Sequence, residues 1–556
     1  MELDRAAYAS VYGPTTGDRI RLGDTSLLAE VEADDTAPGS EPLIGFGKTI
    51  RDGLLASSSM RGEDALDAVI TNAVVIDPVL GIRKTSLGIK DGRIACVGRA
   101  GNPDTMEGID VPISAATGII PAEGLIATPG VVDSHIHLIS PQLVAVALSG
   151  GVTTLVAMGY GGAWDVGIGP AGNFDRLLDA WRAVPLNLVP LARASASHEQ
   201  FLEDSLAWGA GGFKVHEDTG AFPRILDAAL SVADRHDIQV AVHLDGLGES
   251  ATLEESLQAV AGRTVHLYHL EGCGGGPVDL LEAASLDHVL PSSTNPTVPY
   301  GATATAEHEE MIRTVHRLHP RFASDMEAAR DRVRAWTMAA ESVLQDLGAI
   351  SIMSSDSLGM GRIGETFRRT WQLAHVMKGA TGGSGRNDNE RILRYVAKLT
   401  VNPALAHGIA HDVGSLEPGK LADVVLWRPA FFGAKPQVVI KDGFSAWGPL
   451  GSGSGSTRLG EPLVYNPQYG GVGGAPAALS TVYTSSVGEE RVRARWPGRV
   501  DVVRDCRKLR KSDMVRNGAR PSVVVDPVAQ RVVVDGKPVD LEPASSLPLN
   551  RAYFLV

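Results

Sequence analysis

The sequence predicts an α/β protein in which a parallel (β/α)8 barrel of the TIM type interrupts a β-rich domain made from the segments on either side of it. Three observations carry this. Eight near-continuous apolar runs follow one another between about 129 and 405, mostly separated by helix-length segments, which is the rhythm of strands covered on both faces by crossover helices. Short β-rich runs with glycine turns precede this stretch and a comparable pattern follows it, so the two flanks read as one sheet. His, Lys and Asp accumulate at the C-terminal ends of the apolar runs, the rim on which barrel enzymes carry their active sites.

Taken in order, residues 1 to about 65 carry turn signals at Gly13-Pro14 and Gly17-Asp18 and two short strand candidates, Arg19 to Leu22 and Leu27 to Val31. The runs Ala68 to Asp77, Ser86 to Lys90 and Arg93 to Gly98 read as an antiparallel module, with its counterpart at Gly419 to Trp427 and Val438 to Gly443. The barrel strand candidates are Val131 to Leu138, Val152 to Gly159, Leu186 to Ala192, Gly212 to Glu217, Ile238 to Asp245, Thr264 to Glu271, His288 to Ser293 and Ile350 to Ser355. Helices are expected at Phe174 to Ala183, Arg224 to Asp237 and Leu253 to Val260. Residues 445 to 476, with Gly451-Ser452-Gly453-Ser454-Gly455-Ser456, predict a long loop. Beyond it, a basic stretch and the β-rich Pro521 to Val539 predict a small C-terminal appendage. The expected division is 1–128, 129–405 with a flap at about 305–335, 406–480 and 481–556.

At 556 residues, with 44% hydrophobic and 21% charged residues, the chain has the composition of a globular protein too long for one ordinary core. Its net charge of −14, from 51 Lys+Arg against 65 Asp+Glu, leaves no basic excess to neutralise phosphates. Neither nucleic acid nor an anionic membrane is expected as a partner. The start, Met1-Glu2-Leu3-Asp4-Arg5, lacks an apolar leader core, and no uncharged run reaches the roughly 18 residues that a membrane span needs. Cys96, Cys273 and Cys506 lie far apart with no CxxC spacing, so a reducing, cytoplasmic location is expected.

The chemistry starts at Val131-Val132-Asp133-Ser134-His135-Ile136-His137-Leu138. Successive side chains on a strand alternate faces, so His135 and His137 point the same way, as neighbouring metal ligands must. Run four places Lys214 and His216 on a common face, run five ends in His243, run six carries His266 and His269, and run eight ends at Asp356. One histidine on an apolar strand is usually a core residue, but several runs delivering such groups to one rim point to a site. The set suits hard to borderline divalent ions, imidazole favouring zinc, nickel or iron. Lys214 is the odd member, because an ammonium repels a cation; a metal role requires that it be neutralised or converted to a carboxylate-like group. Such a site supplies metal-activated water for attack on an electrophilic carbon, and a leaving amine then needs a general acid. His316, in the helical excursion between runs seven and eight, stands where a lid would close over substrate.

These residues resemble the α subunit of urease, within the amidohydrolase superfamily. The similarity runs from Tyr12-Gly13-Pro14-Thr15-Thr16-Gly17-Asp18 through Gly47-Lys48-Thr49-Ile50-Arg51-Asp52-Gly53 to Glu542-Pro543-Ala544 and Arg551-Ala552-Tyr553-Phe554. Its most specific phrases are Asp133-Ser134-His135-Ile136-His137, Lys214-Val215-His216-Glu217-Asp218, Pro291-Ser292-Ser293-Thr294-Asn295-Pro296-Thr297, Ser354-Ser355-Asp356-Ser357 and Met360-Gly361-Arg362. The resemblance implies two nickel ions bridged by a carbamylated Lys214, one held by His243 and His269, the other by His135, His137 and Asp356. It further implies that His216 hydrogen-bonds the substrate oxygen, that Gly359 lies at a substrate-binding position, that His316 is the flap acid and that Arg332 orients the flap. Smaller β and γ subunits or their fusion, nickel-delivery accessory proteins and assembly into a trimer of such units are implied as well.

Several surrounding positions depart from the family pattern. The segment after run two is Met158-Gly159-Tyr160-Gly161-Gly162-Ala163-Trp164-Asp165, Leu244 and Leu270 stand where hydroxyl residues are usual, and Pro277 replaces a histidine. Leu358-Gly359 replaces Gln-Ala, and Val315 replaces the flap cysteine. The expected function is nickel-dependent hydrolysis of urea to ammonia and carbamate. The alternatives are action on another urea, amidine or small amide, a catalytically weak homologue, or a non-catalytic subunit that has kept the fold.

Overall fold

A computed structural model describes residues 4–36, 39, 41–43, 56–159, 167–169, 171–246, 251–383, 385–449, 465–550 and 553. The phrase Gly47 to Gly53, the loop residues Tyr160 and Trp164, the Gly451 to Ser456 run and most of Arg551 to Phe554 lie outside the described residues.

Eight parallel strands follow one another in sequence order: β1 (Val131–His137), β2 (Val152–Met158), β3 (Asn187–Arg193), β4 (Gly212–His216), β5 (Gln239–His243), β6 (Val265–Leu267), β7 (Val289–Thr294) and β8 (Ile352–Ser354). Beyond β8 the ring is drawn together by a parallel bridge between Ile136 and Ser357, with Asp356 N donating to His135 O at 2.9 Å and His137 N to Ser357 O at 3.1 Å. Every residue of these strands except Arg193 is buried. That is why they read as continuous apolar runs and not as alternating ones. The helix Pro223–His236 starts on a proline at its first turn and buries Ile225, Leu226, Ala229, Leu230 and Ala233, the stripe that covers the barrel wall. Leu253–Val260 is opened by a capping box between Thr252 and Glu255.

Several strands come out shorter than their apolar runs, and the sixth and eighth shrink to three residues each. The sixth ends at Leu267 and the eighth at Ser354, because His269 (φ 32°) and Asp356 (φ 55°) adopt backbone conformations that no strand continues.

The flanks form one sheet. Ala68–Asp77, Gly81–Lys90 and Arg93–Gly98 precede the barrel, Val424–Trp427, Val438–Lys441 and Phe444–Pro449 follow it, and all belong to a single ten-stranded sheet. Its seam is Ile126–Pro129, parallel to Ala68–Asp77 on one side and antiparallel to Val424–Trp427 on the other, one residue before β1. The C-terminal segment packs onto the barrel. Thr481–Thr484 pairs with Arg499–Val502 and touches β3 at Leu188. The Val523–Asp526 and Arg531–Val534 hairpin adds Val523, Val525, Val532 and Val534 to the same apolar cluster as the barrel strands. Three helices lie between β7 and β8: α1 (Ala304–Val315), α2 (Ala323–Arg332) and α3 (Ala335–Asp346).

Candidate metal centre

The predicted site residues meet at the C-terminal mouth of the barrel. His135 and His137 project from β1 on one face, Lys214 and His216 from β4, and His243 is the last residue of β5. His269 and Asp356 stand in the turns just past β6 and β8. His266, from the same run as His269, turns instead to His407, with Nδ1 and Nε2 3.0 Å apart, and takes no part.

Two groups of donors result. In one, Asp356 Oδ1 is 3.2 Å from His135 Nε2 and 3.4 Å from His137 Nε2. In the other, His269 Nε2 faces His243 Nδ1 at 3.0 Å. His269 Nδ1 lies 3.2 Å from Gly275 O, which only accepts, so Nδ1 carries the hydrogen and Nε2 a lone pair. His243 Nε2 lies 2.9 Å from the Glu217 carboxylate but is not aligned to donate to it. Buried imidazole nitrogens and a carboxylate converging at one rim are the donor set of a borderline divalent ion, so the residues fit a metal. Asp133, unremarked in the sequence, ties the rim together: Oδ1 accepts from Ser355 N at 3.0 Å and His135 N at 3.2 Å. Burial pushes its carboxyl up to about 6.

Lys214 is fully buried, and its Nζ has no hydrogen-bond partner. Burial holds its amine well below the usual lysine range, since an ammonium there would be desolvated with only Asp356 to favour it. A neutral, unpartnered amine within electrostatic reach of both donor groups fits a lysine awaiting conversion to an anionic ligand. Burial likewise lowers His135, His216 and His243 well below the ordinary imidazole value, and His269 to about 4, keeping the rings neutral as ligands must be.

The residues expected around substrate lie over this cluster. A cavity of about 30 Å³, room for one or two waters, is bounded by His216 and Asp218 on one side, by Val315 and His316 of the α1 terminus above, and by Leu358, Gly359 and Met360. His216 Nδ1 accepts from Asp218 N at 3.1 Å, which leaves Nε2 as its N–H. Arg332, at the end of α2, donates through Nη2 to Glu217 Oε1 and Oε2 at 2.9 and 3.0 Å, and its Nη1 lies 3.2 Å from His316 Nε2. Burial, then the Arg332 charge, lowers the proton affinity of His316, while Glu217 and Asp218 oppose that. Glu217, quoted in the sequence only as part of a phrase, is the hub: it touches Arg332, His243 and Gly246 N. Its place directly after His216 was the available signal.

Close approach explains two glycine positions. A Cβ on Gly275 would lie 1.9 Å from His243 Nε2, and one on Gly359 would lie 2.3 Å from Asp356 Oδ1. The alanine expected at 359 therefore has no room on this backbone. Its neighbour Leu358 sits at φ 64°, a conformation leucine rarely adopts.

Comparison with known proteins agrees with the geometry. Residues 1–120 match the urease α-subunit N-terminal domain, and residues 126–458 match the amidohydrolase family. Urease subunit alpha 2 of Streptomyces coelicolor is 50% identical over 560 residues, covering 100% of both chains. Urease subunit alpha 1 of Streptomyces avermitilis is 50% identical over 554 residues, covering 99% of each. Among solved structures, a dihydropyrimidinase from Brevibacillus agri covers 68% of this chain and 94% of its own, at 14% identity and TM-score 0.48, too distant to carry a substrate across. With such identity along its whole length, the chain belongs to the urease α-subunit family.

Proposed function

We propose that the chain is the catalytic subunit of a urease, hydrolysing urea to ammonia and carbamate. The observation that carries this is the convergence of His135, His137, His243, His269 and Asp356 around the unpartnered Lys214 amine, under a cavity that admits only a very small substrate. In this reading His243 and His269 would hold one nickel ion, His135, His137 and Asp356 would hold the other, and Lys214, once carbamylated, would supply the ligand shared by both. The bound pair would polarise the substrate oxygen and supply an activated water.

The chain's own residues do the rest. His216, its Nδ1 engaged by Asp218 N, presents Nε2–H to the substrate oxygen. Arg332 only donates, so His316 Nε2 holds a lone pair in this arrangement. To act as acid toward a leaving amine, His316 gains a proton there, beside the Glu217 and Asp218 carboxylates that favour it. Val315, Leu358 and Met360 form an apolar lip that keeps bulk water from the cavity when the α1 terminus lies over it. Gly359 contributes backbone, with no side chain between it and Asp356.

The reading extends to context. Family membership places the chain in a urease complex, and we propose β and γ subunits or their fusion, nickel-delivery accessory proteins and a trimer of such units as its partners. No helix of the described residues is long and apolar enough to cross a membrane, and the three cysteines are free thiols, which suits the reducing cytoplasm. The division at 128, 405 and 480 is proposed in the same sense. The test is to load the complex with nickel and bicarbonate, count metal by elemental analysis, and assay urea against N-substituted ureas. Two nickel ions per α chain with rapid ammonia release from urea alone is the expected result; faster turnover of a substituted urea would overturn the substrate assignment.

A further inference from the structure

Tyr268 lies beneath the metal cluster and was not among the residues singled out for the site. It is buried, and its hydroxyl donates to Ser134 O at 2.6 Å. The His135 ring stacks on it at 3.8 Å and 17°, and His266 meets it edge-on at 4.8 Å and 87°. A ring held from three directions cannot turn away from what faces it. What faces it is Lys214, whose Nζ lies 3.7 Å from the ring centroid and has no hydrogen-bond acceptor. Among the described residues, the aromatic face is the partner the structure gives the amine's hydrogens.

We propose that Tyr268 is a positioning residue for Lys214: its face holds the amine for carbamylation and then accepts the one N–H that the carbamate keeps. In the step itself, Nζ attacks the carbon of carbon dioxide and an N–C bond forms. One C=O π pair moves onto oxygen and one N–H proton is lost to water, leaving the amine as –NH–COO⁻. The remaining hydrogen stays over the ring while the two oxygens reach the ligand groups on either side. Because His135 stacks on the same ring, one side chain sets the spacing between a histidine ligand and the bridging group.

This rests on the carbamylation reading above, and the test separates the two. The metal-free complex, with its partner subunits, is incubated with nickel over a series of bicarbonate concentrations, desalted, and its nickel counted. Tyr268→Phe keeps the face and is expected to half-load within about twofold of the wild-type bicarbonate concentration; Tyr268→Leu, which removes it, is expected to need about fivefold more. Half-loading of Tyr268→Leu at the wild-type concentration would overturn the proposal. Wild-type loading that ignores bicarbonate would instead overturn carbamylation, and the role of Tyr268 with it. Should Tyr268→Leu fail to assemble, a crystal structure of the loaded wild type decides: Nζ within about 4.5 Å of the ring centroid upholds the contact, and Nζ beyond about 6 Å overturns it.

Discussion

Replacing Glu217 by glutamine isolates the link between the flap and the metal cluster. Glu217 accepts from Arg332 Nη2 through both oxygens and from Gly246 N at 2.6 Å, and its side chain and that of Arg332 are 5% and 6% exposed. Glutamine keeps one acceptor and the shape but removes the charge, leaving the Arg332 guanidinium buried without its closest counter-ion. Removing one member of a buried pair costs about 3 to 5 kcal/mol, and the nearby Asp218 puts this case at the lower end, about 3 kcal/mol. The loss is read as a lower denaturation midpoint of the assembled enzyme in guanidinium chloride, urea being the expected substrate. A second readout follows from charge. Glu217 raises the proton affinity of His316 and Arg332 lowers it, so removing the carboxylate leaves the Arg332 charge less opposed. The protonated fraction of His316 then falls at any given pH, and the alkaline limb of the pH–rate profile moves to lower pH. An unchanged midpoint together with an unmoved or raised limb would refute the reasoning.

Three other outcomes are expected. His316→Asn lowers kcat by about 100- to 10,000-fold through loss of the general acid, with nickel content unchanged by elemental analysis; loss of metal in parallel would place His316 among the ligands instead. Lys214→Arg puts a guanidinium that cannot form a carbamate into a fully buried position, and the purified complex is expected to retain no nickel pair; wild-type nickel content would remove Lys214 from the bridge. At the surface, His411 Nε2 at 3.2 Å pulls the Asp501 carboxyl down to about 2 from 3.8. A depressed carboxyl stabilises the fold above its ordinary value and loses that contribution as pH falls through the folded one. The stability difference between wild type and Asp501→Asn therefore shrinks from pH about 4 toward 2, followed by acid titration of tryptophan fluorescence; a constant difference would sink the assignment.

Much of the architecture was legible because burial on both faces writes itself into sequence. Each of the eight apolar runs holds a barrel strand, and Leu253–Val260 falls where the sequence put a helix. The flanking runs also announced one interrupted sheet, although its seam, Ile126–Pro129, carries no signal beyond four buried residues. The contacts that tie the C-terminal segment to the barrel were not legible in the sequence. Whether a short strand such as Thr481–Thr484 adds to an existing sheet depends on which edge is near it, and no local pattern records that.

The site divides in the same way. Alternation along a strand placed His135 with His137 and Lys214 with His216, because a period of two is a local property of the backbone. That His269 and Asp356 leave their strands on positive φ, that His266 turns to His407, and that Glu217 joins Arg332 to His243 are matters of loop conformation and ring closure. Sequence by itself determined which side chains share a face of one strand, and hence the donors available at the barrel mouth. Only the tertiary structure decided how far apart those donors stand and what lies beneath them, because these distances depend on how neighbouring strands are staggered and on turns whose geometry is set by contacts between segments remote along the chain.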